Sequence, residues 1–197
     1  MNILIACEES GTVRDSFIAK GHNAISCDIL PSSSPGPHVQ GDVISLLNYK
    51  WDLIIAHPPC TYLCNSGVCH LWNSDGTKNK HRWYLMEKAK SFFNMICHAN
   101  SDKICIENPI PHKYGLGKTY DQIIHPYQFG HPERKATCLW LKGLPKLVPT
   151  NDVKAEMLKL PKKLSQRIHY TSPGKNRAKI RSKTFQGIAD AMAAQWG

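Results

Sequence analysis

Two side chains in this sequence stand where reactive groups are usually placed. Trp51-Asp-Leu-Ile-Ile-Ala-His-Pro-Pro-Cys60 reads as an apolar strand running straight into a Pro-Pro-Cys turn. Forty-seven residues after Cys60, Ile104-Cys-Ile-Glu107-Asn108-Pro109 reads as a second apolar strand tipped by a carboxylate. A thiolate can add to an electron-poor ring carbon while a carboxylic acid supplies a proton to a ring nitrogen. That pairing activates a pyrimidine for attack on an electrophilic carbon. Pro-Pro turns and strand-terminal Glu are each common, so the signal lies in the two together.

Positioning such groups requires strands whose ends meet. The pattern predicts strands over 2–7, 23–27, 52–56 and 103–106, with residues 38–43 leading into a short helical turn. It predicts helices over 13–20, closed by Gly21, and over 82–98. Residues 127–142 read as a loop feeding another strand, and 184–195 as a final small-residue helix. Short apolar strands alternating with helices give an α/β fold, a mostly parallel sheet covered on both faces, with ligands at the carboxyl ends of the strands. The 197 residues form one domain.

The first two strand ends carry acids. Asp28, at the tip of the second strand, is placed to accept from ribose hydroxyls, and Asp42 from an adenine amino group. The turn Cys7-Glu8-Glu9-Ser10-Gly11 offers backbone amides but only one glycine. Its two acids would repel a pyrophosphate and attract an ammonium or sulfonium, which favours S-adenosylmethionine over a dinucleotide. Each acid reads equally well as a helix cap or turn residue.

No apolar run approaches the roughly 20 residues that span a bilayer. The opening Met-Asn-Ile-Leu-Ile-Ala reads as a strand and not as a signal peptide, so the expectation is a cytoplasmic protein with no membrane partner and reduced cysteines. Cys60, Cys64, Cys69 and His70 invite a zinc reading, yet their spacing matches no usual ligand pair. The expectation is no metal and a loop that happens to hold thiols. Of the net charge of +10, residues 154–183 contribute ten Lys or Arg against one Glu. Either this is a solvated face, or it grips a phosphate backbone.

With these pieces placed, the chain resembles the cytosine-C5 DNA methyltransferases, in a small phage-like form. Pro58-Pro59-Cys60 resembles that family's nucleophile motif, Asn65-Ser66-Gly67 the end of the following loop, and Glu107-Asn108 the next catalytic motif. Gly130-His-Pro132-Glu-Arg134-Lys135 resembles its basic target-contacting segment, with Glu133 in place of Gln. Thr184-Phe-Gln-Gly187 sits where the family's last helix returns to close the cofactor pocket. The resemblance covers residues 1–142 and the last helix. It implies a Rossmann-like methyltransferase fold divided into a core over 1–142, a basic segment over 143–183 and a returning helix over 184–197.

The resemblance further implies catalytic Cys60, Glu107 and Arg134. Cys60 would add to C6, raised in thiolate content by its strand-end position, and a protonated Glu107 would donate to N3. Arg134 would hold the base carbonyl or a phosphate. S-adenosylmethionine would lie against Cys7, Glu8, Glu9, Ser10, Gly11, Asp28, Asp42, Pro58, Thr184 and Gly187. DNA, as a duplex with a flipped base or as a single strand, would meet Lys135, Arg167, Lys175, Arg177, Lys179 and Arg181. The first turn lacks the family's paired glycines, and 143–183 is far shorter than its usual recognition domain, so a partner chain could supply target choice. Two other readings stay open. An amino methyltransferase acting on adenine N6 or cytosine N4 would carry Asp, Asn or Ser before the Pro-Pro and an aromatic after it, where this chain has His57 and Cys60. The other is a non-catalytic nucleic-acid or cofactor-binding module with a degenerate fold.

Overall fold

The computed structural model describes residues 1–197. The apolar runs form a single seven-stranded sheet flanked by helices. Strands β1 (Asn2–Ala6), β2 (Asn23–Asp28), β3 (His38–Gln40), β4 (Leu53–Ala56) and β5 (Ile104–Pro109) are parallel to one another. With β6 (Gln122–Ile124) and β7 (Thr137–Lys142), the order is β3-β2-β1-β4-β5-β7-β6. Only β7 opposes its neighbours, pairing antiparallel with both β5 and β6. As far as β5, this is the Rossmann order, whose switch point falls between β1 and β4.

The strands lack polar alternation because both faces are covered. On β1, Ile3 and Ile5 pack with Val13 and Phe17 of α1 (Thr12–Ala19) and with Ile188, Met192 and Trp196 of α6 (Gln186–Trp196). Leu4 and Ala6 point the other way, into a second cluster with Met86, Phe93 and Ile96 of α2 (Lys80–Cys97). A period of two thus sends alternate residues into two cores.

Three features depart from the sequence expectation. β5 continues past Ile106, because Glu107, Asn108 and Pro109 pair with Leu139, Cys138 and Thr137 of β7. β6 is only three residues long and left no periodic signal. The last helix begins at Gln186, with Phe185 extended at its cap, which leaves Thr184 outside the helix and buried. The basic segment folds into three short helices, α3 (Lys154–Lys159), α4 (Lys162–Ser165) and α5 (Arg177–Ser182), and α5 buries no side chain.

One charged residue is built into the frame. Arg14 of α1 is 0% exposed. Its guanidinium donates to Asp15 Oδ1 (2.7 Å), Ser26 Oγ (3.1 Å), Ser34 Oγ (2.8 Å) and the Pro35 carbonyl (2.8 Å), stitching α1 to β2 and to the loop after it. Gly36, at φ 138°, lets that loop lie against the guanidinium; an added Cβ would come within 2.7 Å of it. Arg14→Met keeps the bulk but strands several acceptors. It should lower unfolding free energy by at least about 2 kcal/mol, measured by urea titration, since each buried unsatisfied group costs about 1–3 kcal/mol.

Candidate active site

Parallel register brings the two reactive tips together. Ala56 pairs with Ile106, so the next residues out, His57 and Glu107, are neighbours at the carboxyl ends of β4 and β5. His57 Nδ1 lies 2.9 Å from Glu107 Oε2, with the two side chains 12% and 11% exposed. One residue on, the Asn108 amide donates to the Pro58 carbonyl at 2.9 Å and holds the Pro-Pro-Cys turn against β5. The turn itself closes through the Cys60 carbonyl, which accepts from the Leu63 and Cys64 amides at 3.0 Å each. His112 then ties down Tyr62 and Leu63, and Asn65 donates to the Ile110 carbonyl. Cys60 is left half-buried at the crest, and Cys64 is buried behind it.

The charges at this site differ from the sequence expectation in two respects. Burial pushes the Glu107 carboxyl up, but the hydrogen bond and charge of His57, with Lys135 and the Thr184 hydroxyl, outweigh it and hold the group below its ordinary value. Burial likewise pulls His57 down, while Glu107 and the more distant Glu8 raise it against Lys135, and the balance is upward. Both shifts favour the charged forms of the pair, imidazolium and carboxylate, whereas the sequence expectation was a protonated Glu107. Thr184 Oγ1 donates to the same carboxylate oxygen at 3.4 Å.

The second difference concerns the thiols. The hydrogen bond that Cys60 donates to Cys64, followed by burial, raises Cys60, with Lys135 pulling the other way. Cys64 receives hydrogen bonds from Cys60, Ser66 and the Gly67 amide, which bring it down to about 5. The hydrogen bonds that Cys64 accepts favour the thiolate on its side of the pair and the proton on Cys60.

Arg134 is exposed, with its amide bonded to the Ser165 carbonyl and its charge felt by His125. It does not face the reactive tips. The next residue does: Lys135 is half-buried, its charge acts on Cys60, His57 and Glu107, and its Nζ donates to the Arg181 carbonyl at 3.1 Å. Glu133, standing where the family motif has Gln, is buried and paired with Arg167, so Arg167 is committed to an internal contact.

At the other strand ends the expected cofactor residues divide. Asp28 accepts from the Leu30 amide through Oδ1 only (2.9 Å), leaving Oδ2 unengaged, and exposed Asp42 caps the helical turn Val43–Leu46. Glu8, by contrast, is spent on its own helix: it accepts from the Val13 amide (2.7 Å), the Arg14 amide (3.2 Å) and Ser10 Oγ (3.1 Å). Glu9 faces Ser33 and Lys179. Cys7 turns the chain at φ 58°, and burial beside Asp28 pushes its thiol up to about 12. Gly11, at φ 72°, is the cap residue of α1. Pro58 is buried in the clamp. Gly187 is a packing glycine, since a Cβ there would fall 1.9 Å from the Phe129 carbonyl oxygen.

Of the basic residues, Lys175 is exposed, Arg177 and Arg181 are half-buried, and Lys179 lies 3.7 Å from Glu9. No three His, Cys, Asp or Glu side chains are grouped to hold a metal ion, and no helix is long and apolar enough to cross a membrane. His57 was the main omission of the sequence reading, although its place one residue before the Pro-Pro, on a strand parallel to that of Glu107, was signal enough.

No protein-family model and no curated protein matches the chain. Among solved structures it is similar to a protein provisionally described as a DNA modification methyltransferase encoded within a prophage (E. coli). The match has 17% identity and a TM-score of 0.46, and covers 82% of this chain and 55% of that one. The chain thus spans about half the length of that protein, and the chemistry of the site rests on its own residues.

The His57–Glu107 pair leaves a signature in stability. A raised histidine stabilises the fold fully below its ordinary value of 6.5 and loses that contribution as pH rises through its folded value. A lowered carboxyl stabilises above 4.5 and loses its contribution as pH falls through its folded value. Both contributions are present between 4.5 and 6.5. The contribution of the pair, read as the difference in urea midpoint between wild type and His57→Gln, should be largest in that window and shrink on the alkaline side.

Proposed function

We propose that this protein methylates C5 of cytosine in DNA, using S-adenosylmethionine and a covalent adduct on Cys60. The observation that carries this reading is the Asn108–Pro58 hydrogen bond. It fixes the turn bearing a half-exposed thiol onto the strand bearing a buried carboxylate. A structural thiol behind a Pro-Pro turn needs neither that clamp nor a cation shared with the carboxylate.

The strand ends suit the cofactor at its adenosine end. Asp28 keeps one carboxylate oxygen unengaged at the tip of β2, and Asp42 is exposed one strand further out. Glu8 does not suit the amino group as the sequence implied, because both its oxygens cap α1. Bound S-adenosylmethionine would supply the electrophilic methyl group. The chain's own residues prepare the base. Cys60 sulfur adds to C6, its proton passing to the Cys64 thiolate. The electron pair displaced from the C5–C6 bond collects on C5 and, through the ring, on N3. A proton delivered by way of Glu107 meets N3, and Lys135 offsets charge near the base. If the base begins in a duplex, flipping it out costs a few kcal/mol.

The remaining basic side chains of 154–183 take the phosphate backbone, with Lys162, Lys163 and Lys175 among the exposed cations free of internal partners. With so short a segment in place of a recognition domain, sequence preference is weak or supplied by a partner chain.

DNA containing 5-fluorocytosine, offered with S-adenosylmethionine, should trap the wild-type protein at Cys60, mapped by peptide mass spectrometry, and Cys60→Ser should lose methyl transfer altogether. An adduct on Cys64, the thiol that carries the resting charge, would assign the nucleophile there instead. Replacing Lys162, Lys163 and Lys175 by Ala should weaken DNA binding equally across unrelated sequences. It should also flatten the plot of log K against log salt by about 0.9 for each phosphate of the duplex that is no longer neutralised. An unchanged slope would make these residues a solvated face and favour a mononucleotide substrate.

A further inference from the structure

Glu107 Oε2 meets His57 Nδ1 at 2.9 Å and accepts from Thr184 Oγ1 at 3.4 Å, contacts that suit a carboxylate and not a carboxylic acid. The proposed reaction nevertheless needs a proton to reach N3 as sulfur adds at C6. Some neighbouring group has to hold that proton at rest. Thr184 and water are too weakly acidic to surrender one to a carboxylate at neutral pH, and Lys135 Nζ turns to the Arg181 carbonyl and makes neither a hydrogen bond nor an ion pair with Glu107. His57 is the remaining contact.

We propose that His57 is the proton store of this site: the proton between its Nδ1 and Glu107 Oε2 is the one that N3 receives. This inference rests on the functional reading above and deepens it. The pair lies at 2.9 Å, within the range of a charge-assisted hydrogen bond, and both side chains are almost wholly removed from water. The other ring nitrogen, Nε2, is buried and has no hydrogen-bond partner. An imidazolium built only for structure would have both N–H groups satisfied, since a buried unpaired donor costs about 1–3 kcal/mol. Here the ring has one polar contact, the Glu107 carboxylate, so its proton can pass through that carboxylate when the base takes it up.

The transfer balances. One proton moves: it leaves His57 Nδ1 for the Glu107 carboxylate, which passes it to N3, leaving neutral His57, Glu107 ionised as before and a ring protonated at N3. When the C5 proton is lost and the thiolate leaves, N3 returns its proton to the pair. The groups facing His57 set the pH range. Glu107 from β5 and Glu8 from the turn after β1 hold the proton on, and Lys135 from the stretch before β7 pushes it off. His57 acts on the base through Glu107, and so is a positioning residue that also carries the proton.

His57→Gln preserves a donor to Glu107 but brings no transferable proton. With DNA and S-adenosylmethionine it should lose about 100-fold in transfer rate at pH 7.5, the lower end of what a positioned acid contributes. Activity should recover in part near pH 5, where the carboxyl of Glu107 takes its own proton, so the alkaline limb moves to lower pH. In free wild-type protein, nitrogen NMR of labelled histidine should show His57 protonated on both nitrogens at pH 7, a measurement independent of whether the variant folds. A variant with the wild-type pH profile, a loss equal at all pH values, or a neutral His57 ring at pH 7 would each overturn the proposal while methyl transfer by the wild type stands. A wild-type protein that neither transfers methyl groups nor forms the 5-fluorocytosine adduct would overturn the underlying reading, and this inference with it.

Discussion

The site depends on how the tips of β4 and β5 are joined. Parallel strands carry side chains outward at their carboxyl ends but do not fix the turns that follow. Here the Asn108 amide reaches across to the Pro58 carbonyl, and His57 meets Glu107 one residue earlier. Two adjacent cross-strand contacts, both nearly water-free, convert two loops into one rigid edge. The further bonds from His112 and Asn65 extend that edge along the Cys60–Asn65 turn. Pro58 and Pro59 reduce the freedom of the chain that must be ordered, which lowers the entropic cost of holding the thiol at the crest.

The same edge shares its protons between neighbours. His57 and Glu107 together hold one transferable proton, and Cys60 and Cys64 lose one between them at a pH well below that of a lone buried thiol. In each pair the charge is shared with a partner behind the group that would touch the base, His57 behind Glu107 and Cys64 behind Cys60. Such pairs titrate as units. A site of this kind avoids the cost of holding an exposed thiolate or an unpaired buried carboxylate in the free protein. Both reactive forms arise only when a substrate draws the proton across.

Much of this was legible in the sequence, because the relevant signals are local. Strand runs such as Leu53–Ala56 and Ile104–Ile106 are apolar without alternation, which implies a sheet covered on both faces, and Cys60 and Glu107 follow them directly. What escaped was set by pairing between distant segments. β6 and the extension of β5 to Pro109 exist because β7 runs back between them, a partner choice that no periodicity encodes. Arg134 and Lys135 are adjacent and alike, and only the Glu133–Arg167 contact and the Arg134 amide bond to Ser165 decide which points inward. Glu8 looked available for a ligand because its sequence neighbours do not reveal that the first turn of α1 consumes both its oxygens. The ionisation of Glu107 depends on His57, and that pairing is a consequence of strand register.

The basic segment is attached to this edge at three points of different strength. Lys135 holds the Arg181 carbonyl, Thr184 touches Glu107, and Lys179 approaches Glu9 at 3.7 Å. The first two are partly buried, and in the third an exposed Lys179 meets a largely covered Glu9 at a distance too long for a hydrogen bond. Between them α5 buries nothing, so its position is determined by these tethers and not by packing. A polyanion drawn to 154–183 competes directly with Glu9 for Lys179, while the Lys135 and Thr184 contacts keep the end of the segment against the carboxylate. In the proposed reaction, phosphate binding and the state of the His57–Glu107 pair would therefore be linked through the short stretch of chain from Lys179 to Thr184.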